Sequence, residues 1–399
     1  MPKPTLLCLC DAPTVNTGFA CVSRNLLKRW LPKCNRVDIY GINYFGWPHD
    51  LPYRIFPAGS QDWNSGDKLA QFLNILSAGD YTHVWILCDT HHISGPQSQF
   101  PEYLRMIADK KGVKVTFYYP VDSPLDPKSM DIVKAVDHAV TITDYGKNET
   151  IKACGLMPSV IPHGVDTSIY YPREDRMSLR EKLFKGWVKE DDFLMVNVNR
   201  NERRKAPHHS LEILKHMLDK GVKAKLLMHM PRRAHMEGTD LEQVGEYLGL
   251  KCGEHWSHND AQFQNGNGKV TDDGLNMLYN AADLCLSTTL GEGFGFSQVE
   301  AIAAGCPVAS PDHTACNEIG TQAITLGQEN FTLLKVSEQC VVNMQDLSRV
   351  RYPVDTRAAA DRIFYLANES KPRQPITDGM KDWLDWNKIS ESFFNIITQ

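Results

Sequence analysis

The run Gly291-Glu292-Gly293-Phe294-Gly295-Phe296-Ser297-Gln298-Val299-Glu300-Ala301 decides how this chain is read. It sets two carboxylates eight positions apart, packs small residues between them, and leads into the apolar segment Ala301 to Ala304. The pattern predicts a strand at Leu284-Cys285-Leu286-Ser287, a glycine-rich turn, and a helix starting near Phe296 or Ser297. Glu292 then sits in the turn, and Glu300 lies about one helical turn in. Glycine lets the backbone adopt positive φ and approach a ligand closely. The first N–H groups of a helix are free to bind an anion, and the helix dipole favours negative charge there. Such a place suits a phosphorylated ligand whose sugar hydroxyls donate to the two glutamates.

Short apolar, β-prone runs alternate with amphipathic stretches on both sides of this run. In the first half the expected strands are Leu6–Cys10, Val37–Ile42, His83–Leu87, Lys114–Tyr119 and His138–Ile142, separated by helices such as Ser23–Trp30, Lys68–Ser77 and Tyr103–Lys110. In the second half they are Phe193–Val198, Ala224–Met228, Leu284–Ser287 and Pro307–Ala309, with helices around His209–Lys220, Gly274–Ala281 and Gln298–Ala304. This βαβα order implies α/β architecture with parallel sheets and helices on both faces. Two such series imply two Rossmann-like domains with a cleft between them, ligands binding at the carboxyl ends of the strands. Proline and charge place the boundary near Tyr170–Asp175. Trp383–Ile397 reads as a final helix, and Gln262–Gly268 as a polar, glycine-rich flexible loop.

The bulk properties agree. A chain of 399 residues, of which 42% are hydrophobic, has room for two cored domains. Its 43 basic and 48 acidic residues leave no global field pointing to nucleic acid or membrane, although a local patch stays open. Eleven scattered cysteines without a C-x-x-C read as free thiols in a reducing compartment. The Thr5–Cys10 run is too short for a signal peptide, and no apolar stretch reaches the length of a membrane span. The expectation is a cytoplasmic protein with no integral membrane segment.

Four further places carry candidate chemistry. Asn199-Arg200-Asn201-Glu202-Arg203-Arg204-Lys205-Ala206 follows an apolar strand, where guanidinium and ammonium groups suit a diphosphate. The loop Asp11 to Ala20 joins the first strand to its helix and contains Gly18. Cys88-Asp89-Thr90-His91-His92 follows another strand, and either imidazole, or Asp89, can meet a sugar hydroxyl or move a proton. Asp122 ends a strand and is a weaker acceptor candidate, as is Arg203.

The segment Glu292 to Val308 resembles the E-x7-E signature of retaining GT-B glycosyltransferases, especially family 4. The family's usual text, E-G-F-G-x-x-x-x-E-A-x-A-x-G-x-P-V, is met at every fixed position. Arg200 and Lys205 resemble the family's G-R-x-x-x-x-K-G element, with Asn199 and Ala206 in place of the glycines. Ile161-Pro162-His163-Gly164-Val165-Asp166 resembles its hinge, with His163 in place of the commoner asparagine. The resemblance is dense from Asn199 to Glu318 and thin in the first half.

The resemblance implies two Rossmann-like domains facing across a cleft, residues 1–170 for the acceptor and 171–379 for the donor, with a helix in 380–399 crossing back. It implies transfer of a sugar from a nucleotide-diphosphate donor, a UDP- or GDP-sugar, to an acceptor hydroxyl with retention at the anomeric carbon. Arg200 and Lys205 would hold the diphosphate, Glu292 the donor sugar, and Glu300 the ribose. Phe294, Gly295, Phe296, Ser297 and Gly18 would line the donor, and His91 or His92 would lie near the donor sugar. No cofactor and no metal are implied. The acceptor stays open among a saccharide, a lipid and a modified DNA base, and a non-catalytic nucleotide-sugar-binding module is the alternative of another class. On this reading Glu292→Gln, Arg200→Ala and Lys205→Ala each lower transfer by orders of magnitude without unfolding the chain.

Overall fold

The computed structural model describes residues 2–60, 67–233, 238–259, 271–343, 349–369 and 373–399. The expected loop at Gln262–Gly268 lies outside the described residues. The chain divides into two compact units, Met1–Gly164 with Leu384–Gln399, and Val165–Trp383.

The first unit is built on β1 (Thr5–Asp11), β2 (Arg36–Ile42), β3 (Arg54–Pro57), β4 (His83–Leu87), β5 (Lys114–Tyr119), β6 (His138–Thr141) and β7 (Ser159–Val160). They form one sheet in the order β3-β2-β1-β4-β5-β6-β7, and every neighbouring pair is parallel. All seven residues of β1 are buried, as a parallel strand covered on both faces requires, and Leu6–Cys10 within it is continuously apolar rather than alternating. The Gly18–Trp30 helix follows β1, and the C-terminal Trp386–Ile397 helix packs against it. There Trp30 Nε1 donates to the Ser390 carbonyl at 3.1 Å, and the Trp30 ring lies 5.6 Å from that of Phe393. An indole can be buried this way because its one donor finds a partner.

The second unit contains β8 (Phe193–Val198), β9 (Ala224–His229), β10 (Trp256–His258), β11 (Leu284–Leu286), β12 (Val308–Pro311) and β13 (Phe331–Leu334), ordered β10-β9-β8-β11-β12-β13 and again parallel throughout. A separate antiparallel ribbon pairs β14 (Val341–Asn343) with β15 (Arg349–Arg351). Met195, Leu226, Met228, Leu284 and Leu286 from the strands share its core with Leu211 and Leu214 of the Pro207–Asp219 helix.

Both sheets share one topological property. The strand order reverses direction beside the first strand of each unit, between β1 and β4 and between β8 and β11. Connections from the two strands at such a point leave on opposite faces, which opens a crevice at their carboxyl ends where ligands of open α/β sheets bind. The loops after β1, β4, β8 and β11 carry the candidate residues except Asp122, which follows β5.

Candidate functional site

In the second unit the loop after β8 and the turn after β11 are tied together. Lys205 ends a 3₁₀ turn over Arg203–Lys205, and its ammonium forms an ion pair with the Glu292 carboxylate, both groups being buried. Burial pushes the Lys205 ammonium down from its ordinary range and nearby Arg204 adds to this, while Glu292 acts the other way. The carboxylate is thus the group that favours the charged form of the lysine.

Arg204, which no local signal separates from Arg203, clasps the same turn. Its Nη1 donates to the Gly291 carbonyl at 2.6 Å and lies 3.5 Å from Glu292 Oε2. Its own carbonyl accepts from Leu290 N at 2.7 Å. Arg203 is exposed. Arg200 is placed differently from its expected partner Lys205: its side chain is 68% exposed and pairs with Glu202 at 3.0 Å.

The glycine turn forms as the sequence suggests. Gly295 has φ 121° and precedes the Phe296–Ala303 helix. Phe294 is buried and meets half-buried Phe296 edge-on, with ring centroids 5.5 Å apart. Ser297, also half-buried, occupies the first turn. Thr314 closes the turn from the far side. Its hydroxyl accepts from Glu292 N at 3.1 Å, and its φ of 48° is rare for a residue with a branched side chain. No sequence signal singles it out.

Glu300 lies further along the Phe296–Ala303 helix. The Tyr279 hydroxyl donates to its Oε2 at 2.9 Å. Burial pushes the Glu300 carboxyl up to about 7, against the pull of the Tyr279 hydroxyl. Tyr279 is fully buried in the core, so it both packs there and holds the second glutamate. A cavity of about 410 Å³ opens by the ends of β9 and β10, lined by Leu227, His229, His258, Asn259, Gly274 and Leu278 among others. Burial holds the His229 imidazole neutral, down to about 4.

In the first unit, Gly18 is exposed at the start of its helix, and Thr17 Oγ1 accepts from Ala20 N at 3.0 Å as the N-cap. The Thr17 hydroxyl also donates to buried Asp11, whose other carboxylate oxygen accepts from Asn43 Nδ2 at 3.3 Å. Asp11, the last residue of β1, therefore fixes this loop, a role that the apolar run Leu6–Cys10 does not announce. After β4, His91 and His92 lie in one helical turn, Thr90–Ile93, with Asp89 at its N-cap, rather than in an open loop. The two imidazole rings lie 4.2 Å apart, and His92 Nε2 is 3.7 Å from Asp89 Oδ2. Asp122 is half-exposed just past β5. His163 of the hinge-like segment is buried, 5.5 Å from the ring of Tyr118, and burial pushes its imidazole down to about 3.

With this geometry in hand, three comparisons bear on the chain. The family described as "Glycosyl transferases group 1" matches residues 233–335, which include the whole turn from Gly291 to Glu300. The overall structure is similar to sucrose-phosphate synthase from Thermosynechococcus elongatus, with a TM-score of 0.72 at 15% identity over 99% of this chain and 98% of that one. The chain has the GT-B fold, and its residues 233–335 match the group 1 glycosyltransferase family. A second GT-B neighbour, HepE from Anabaena in complex with UDP, gives a TM-score of 0.67 at 15% identity over 99% of each chain. Over 187 residues the sequence is 24% identical to the GDP-mannose-dependent alpha-(1-6)-phosphatidylinositol dimannoside mannosyltransferase of Mycobacterium tuberculosis. That alignment takes in 46% of this chain and 43% of the mannosyltransferase, so the chain matches less than half the length of this relative. Among the described residues of the GT-B protein, no helix is long and apolar enough to cross a membrane.

Proposed function

We propose that the protein transfers a sugar from a nucleotide-diphosphate donor to an acceptor hydroxyl with retention of anomeric configuration, in the cytoplasm and without a metal at the reacting centre. The observation that carries this reading is the buried Lys205–Glu292 pair at the switch point of the second sheet, with Glu300 further along the same turn and helix. A donor diphosphate arriving there competes with Glu292 for the lysine. Lys205 then neutralises charge that grows on the leaving oxygen, and exposed Arg200 closes on the other phosphate oxygens. Glu292, released in part from the lysine, accepts from donor sugar hydroxyls, and Glu300 accepts from the ribose. The Gly295–Ser297 backbone at the helix start adds N–H donors.

No side chain is assigned as a nucleophile. The leaving phosphate takes the acceptor proton as the acceptor oxygen bonds to the anomeric carbon on the same face, and the sugar–phosphate bond breaks. Gly18, Asp89, His91, His92 and Asp122 of the first unit are assigned to the sugar and acceptor, and residues 1–170 with 380–399 to the acceptor domain. The cavity lined by His229 and Asn259 has the size and mixed lining that a heterocyclic base needs. For the acceptor, a saccharide or lipid is better supported than DNA. Arg232 and Arg233, the basic pair after β9, meet Glu242 at 2.6 Å and Asp240 at 3.0 Å, so their charge is largely matched in place.

The test is a thermal-shift screen with UDP, GDP and their sugars, followed by release of nucleoside diphosphate from the stabilising donor. Stabilisation by one base, with slow donor hydrolysis abolished by Glu292→Gln, is the expected result. Stabilisation with no turnover under any acceptor leaves the binding-module alternative, and no stabilisation by any nucleotide removes the donor assignment altogether.

A further inference from the structure

The Pro207–Asp219 helix begins directly after the Lys205 loop, and its first turns carry three metal-ligating side chains that the transfer chemistry does not use. His208, His209 and Glu212 each present one ligand atom, and these atoms all lie within 4.8 Å of one another. His208 and Glu212 are four positions apart on one helix face, and the His209 ring centroid is 4.2 Å from that of His208. Both Nδ1 atoms are buried and have no hydrogen-bond partner among the described residues, which is an expensive condition for polar atoms unless something supplies one.

We propose that His208, His209 and Glu212 form a binding site for a divalent zinc ion. Two imidazoles and a carboxylate are a known donor set for zinc, whose borderline softness suits nitrogen ligands. All three side chains are half-buried, so the first coordination shell is partly built and a water can complete the tetrahedron. Ligands of a tetrahedral zinc ion stand about 3.3 Å apart. Small rotations of half-exposed side chains close that difference. The electrostatics permit a cation. Glu212 is the charged group acting on His208, and His208 the one acting on His209; no lysine or arginine is among them. The helix start itself disfavours positive charge, and the Glu212 carboxylate offsets that.

Exposed Cys252 and Cys340 would also take zinc, so the measurement is made in a Cys252→Ser, Cys340→Ser background. Zinc chloride is titrated calorimetrically, and the thermal midpoint is followed with and without zinc. The background protein is expected to bind one equivalent and to melt at higher temperature with it. His208→Ala and Glu212→Gln should each weaken binding by about tenfold or more, since losing a ligand costs at least what losing its hydrogen-bond support does. Both should also abolish the zinc-dependent rise in midpoint while melting like the background protein without metal. Zinc affinity unchanged in both variants, or no binding by the background protein, overturns the site.

Discussion

Lys205 and Glu292, 87 residues apart in the chain, meet as a buried ion pair that joins the ends of the adjacent strands β8 and β11. This contact changes what a lysine substitution reports. Removing one partner of a buried pair leaves the other charge uncompensated, at a cost of roughly 3–5 kcal/mol. Lys205→Met is therefore expected to lose stability as well as transfer, contrary to the reading in which it is a purely catalytic lesion. Adding Glu292→Gln to Lys205→Met should recover part of that loss, because the stranded carboxylate is gone. Urea denaturation of the two single variants and the double variant gives the coupling. Strict additivity would show that the pair contributes nothing as a pair.

Glu300 supplies a pH dependence with a definite sign. Burial raises its folded-state pKa from 4.5 to about 7, with the Tyr279 hydroxyl opposing the rise. Between those two values the folded chain holds a proton that the unfolded chain has lost, so this group's contribution to stability is present at low pH and disappears as pH rises through about 7. Ribose recognition needs the ionised carboxylate, so affinity for a nucleoside diphosphate should increase from about pH 6 to about pH 8. The nucleotide's own phosphates titrate in the same window. Glu300→Gln separates the two, since only the protein's share of the slope vanishes. Tyr279→Phe removes the opposing hydrogen bond and should move the midpoint of the slope upward. Calorimetric titrations across that range decide it, and identical slopes for the parent and Glu300→Gln would remove the ribose role.

The interior of both sheets was legible in the sequence, and the edges were not. The nine strands expected from apolar runs are β1, β2, β4, β5, β6, β8, β9, β11 and β12, all flanked by a neighbour on each side. The four missed in the sheets are β3, β7, β10 and β13, which are the four edge strands. An interior parallel strand is buried on both faces and reads as a continuous apolar run. Edge strands are kept short and carry polar residues, as Arg54 and Ser159 show, so they give little signal. The same limit applies to the site. Glycine and glutamate at fixed spacing disclose the turn, because backbone geometry and charge demand those residue types. Arg204 and Thr314 act through contacts between segments distant in sequence, and nothing local distinguishes Arg204 from exposed Arg203 beside it.

Gly295 is the position where the turn tolerates no side chain. Its φ of 121° is one that other residues rarely adopt, and a Cβ there would stand 2.8 Å from Gln298 Oε1. Gln298 is not free to swing aside, since its Nε2 donates to Ser310 Oγ at 2.8 Å and contacts Cys316 Sγ at 3.1 Å. Gly295→Ala should cost more than ~1 kcal/mol, because both backbone and packing oppose it. The turn also positions Glu292, so donor hydrolysis should fall with stability. A Gly295→Ala variant with parent-like melting and turnover would mean that the turn relaxes cheaply and that its geometry is not needed for the chemistry.

Arg200 and Arg204 divide the cationic work of the β8 loop, and the two can be told apart by what each substitution disturbs. Arg200 is exposed and pairs with Glu202, so Arg200→Ala should change stability by no more than ~0.5 kcal/mol. If it closes on the donor diphosphate, the same substitution raises the KM for donor strongly. Arg204 is anchored on the Gly291 carbonyl and beside Glu292 with its side chain only 22% exposed. Hydrogen bonds from a charged group contribute about 1.5–3 kcal/mol, so Arg204→Ala should destabilise the fold near the lower end of that range. It should also slow turnover by loosening Glu292, with a smaller effect on donor KM than Arg200→Ala has. The reverse pattern, a donor KM unmoved by Arg200→Ala and raised by Arg204→Ala, would transfer the diphosphate role to Arg204. Arg200 would then be a solvated charge that matches the family spacing without sharing its function.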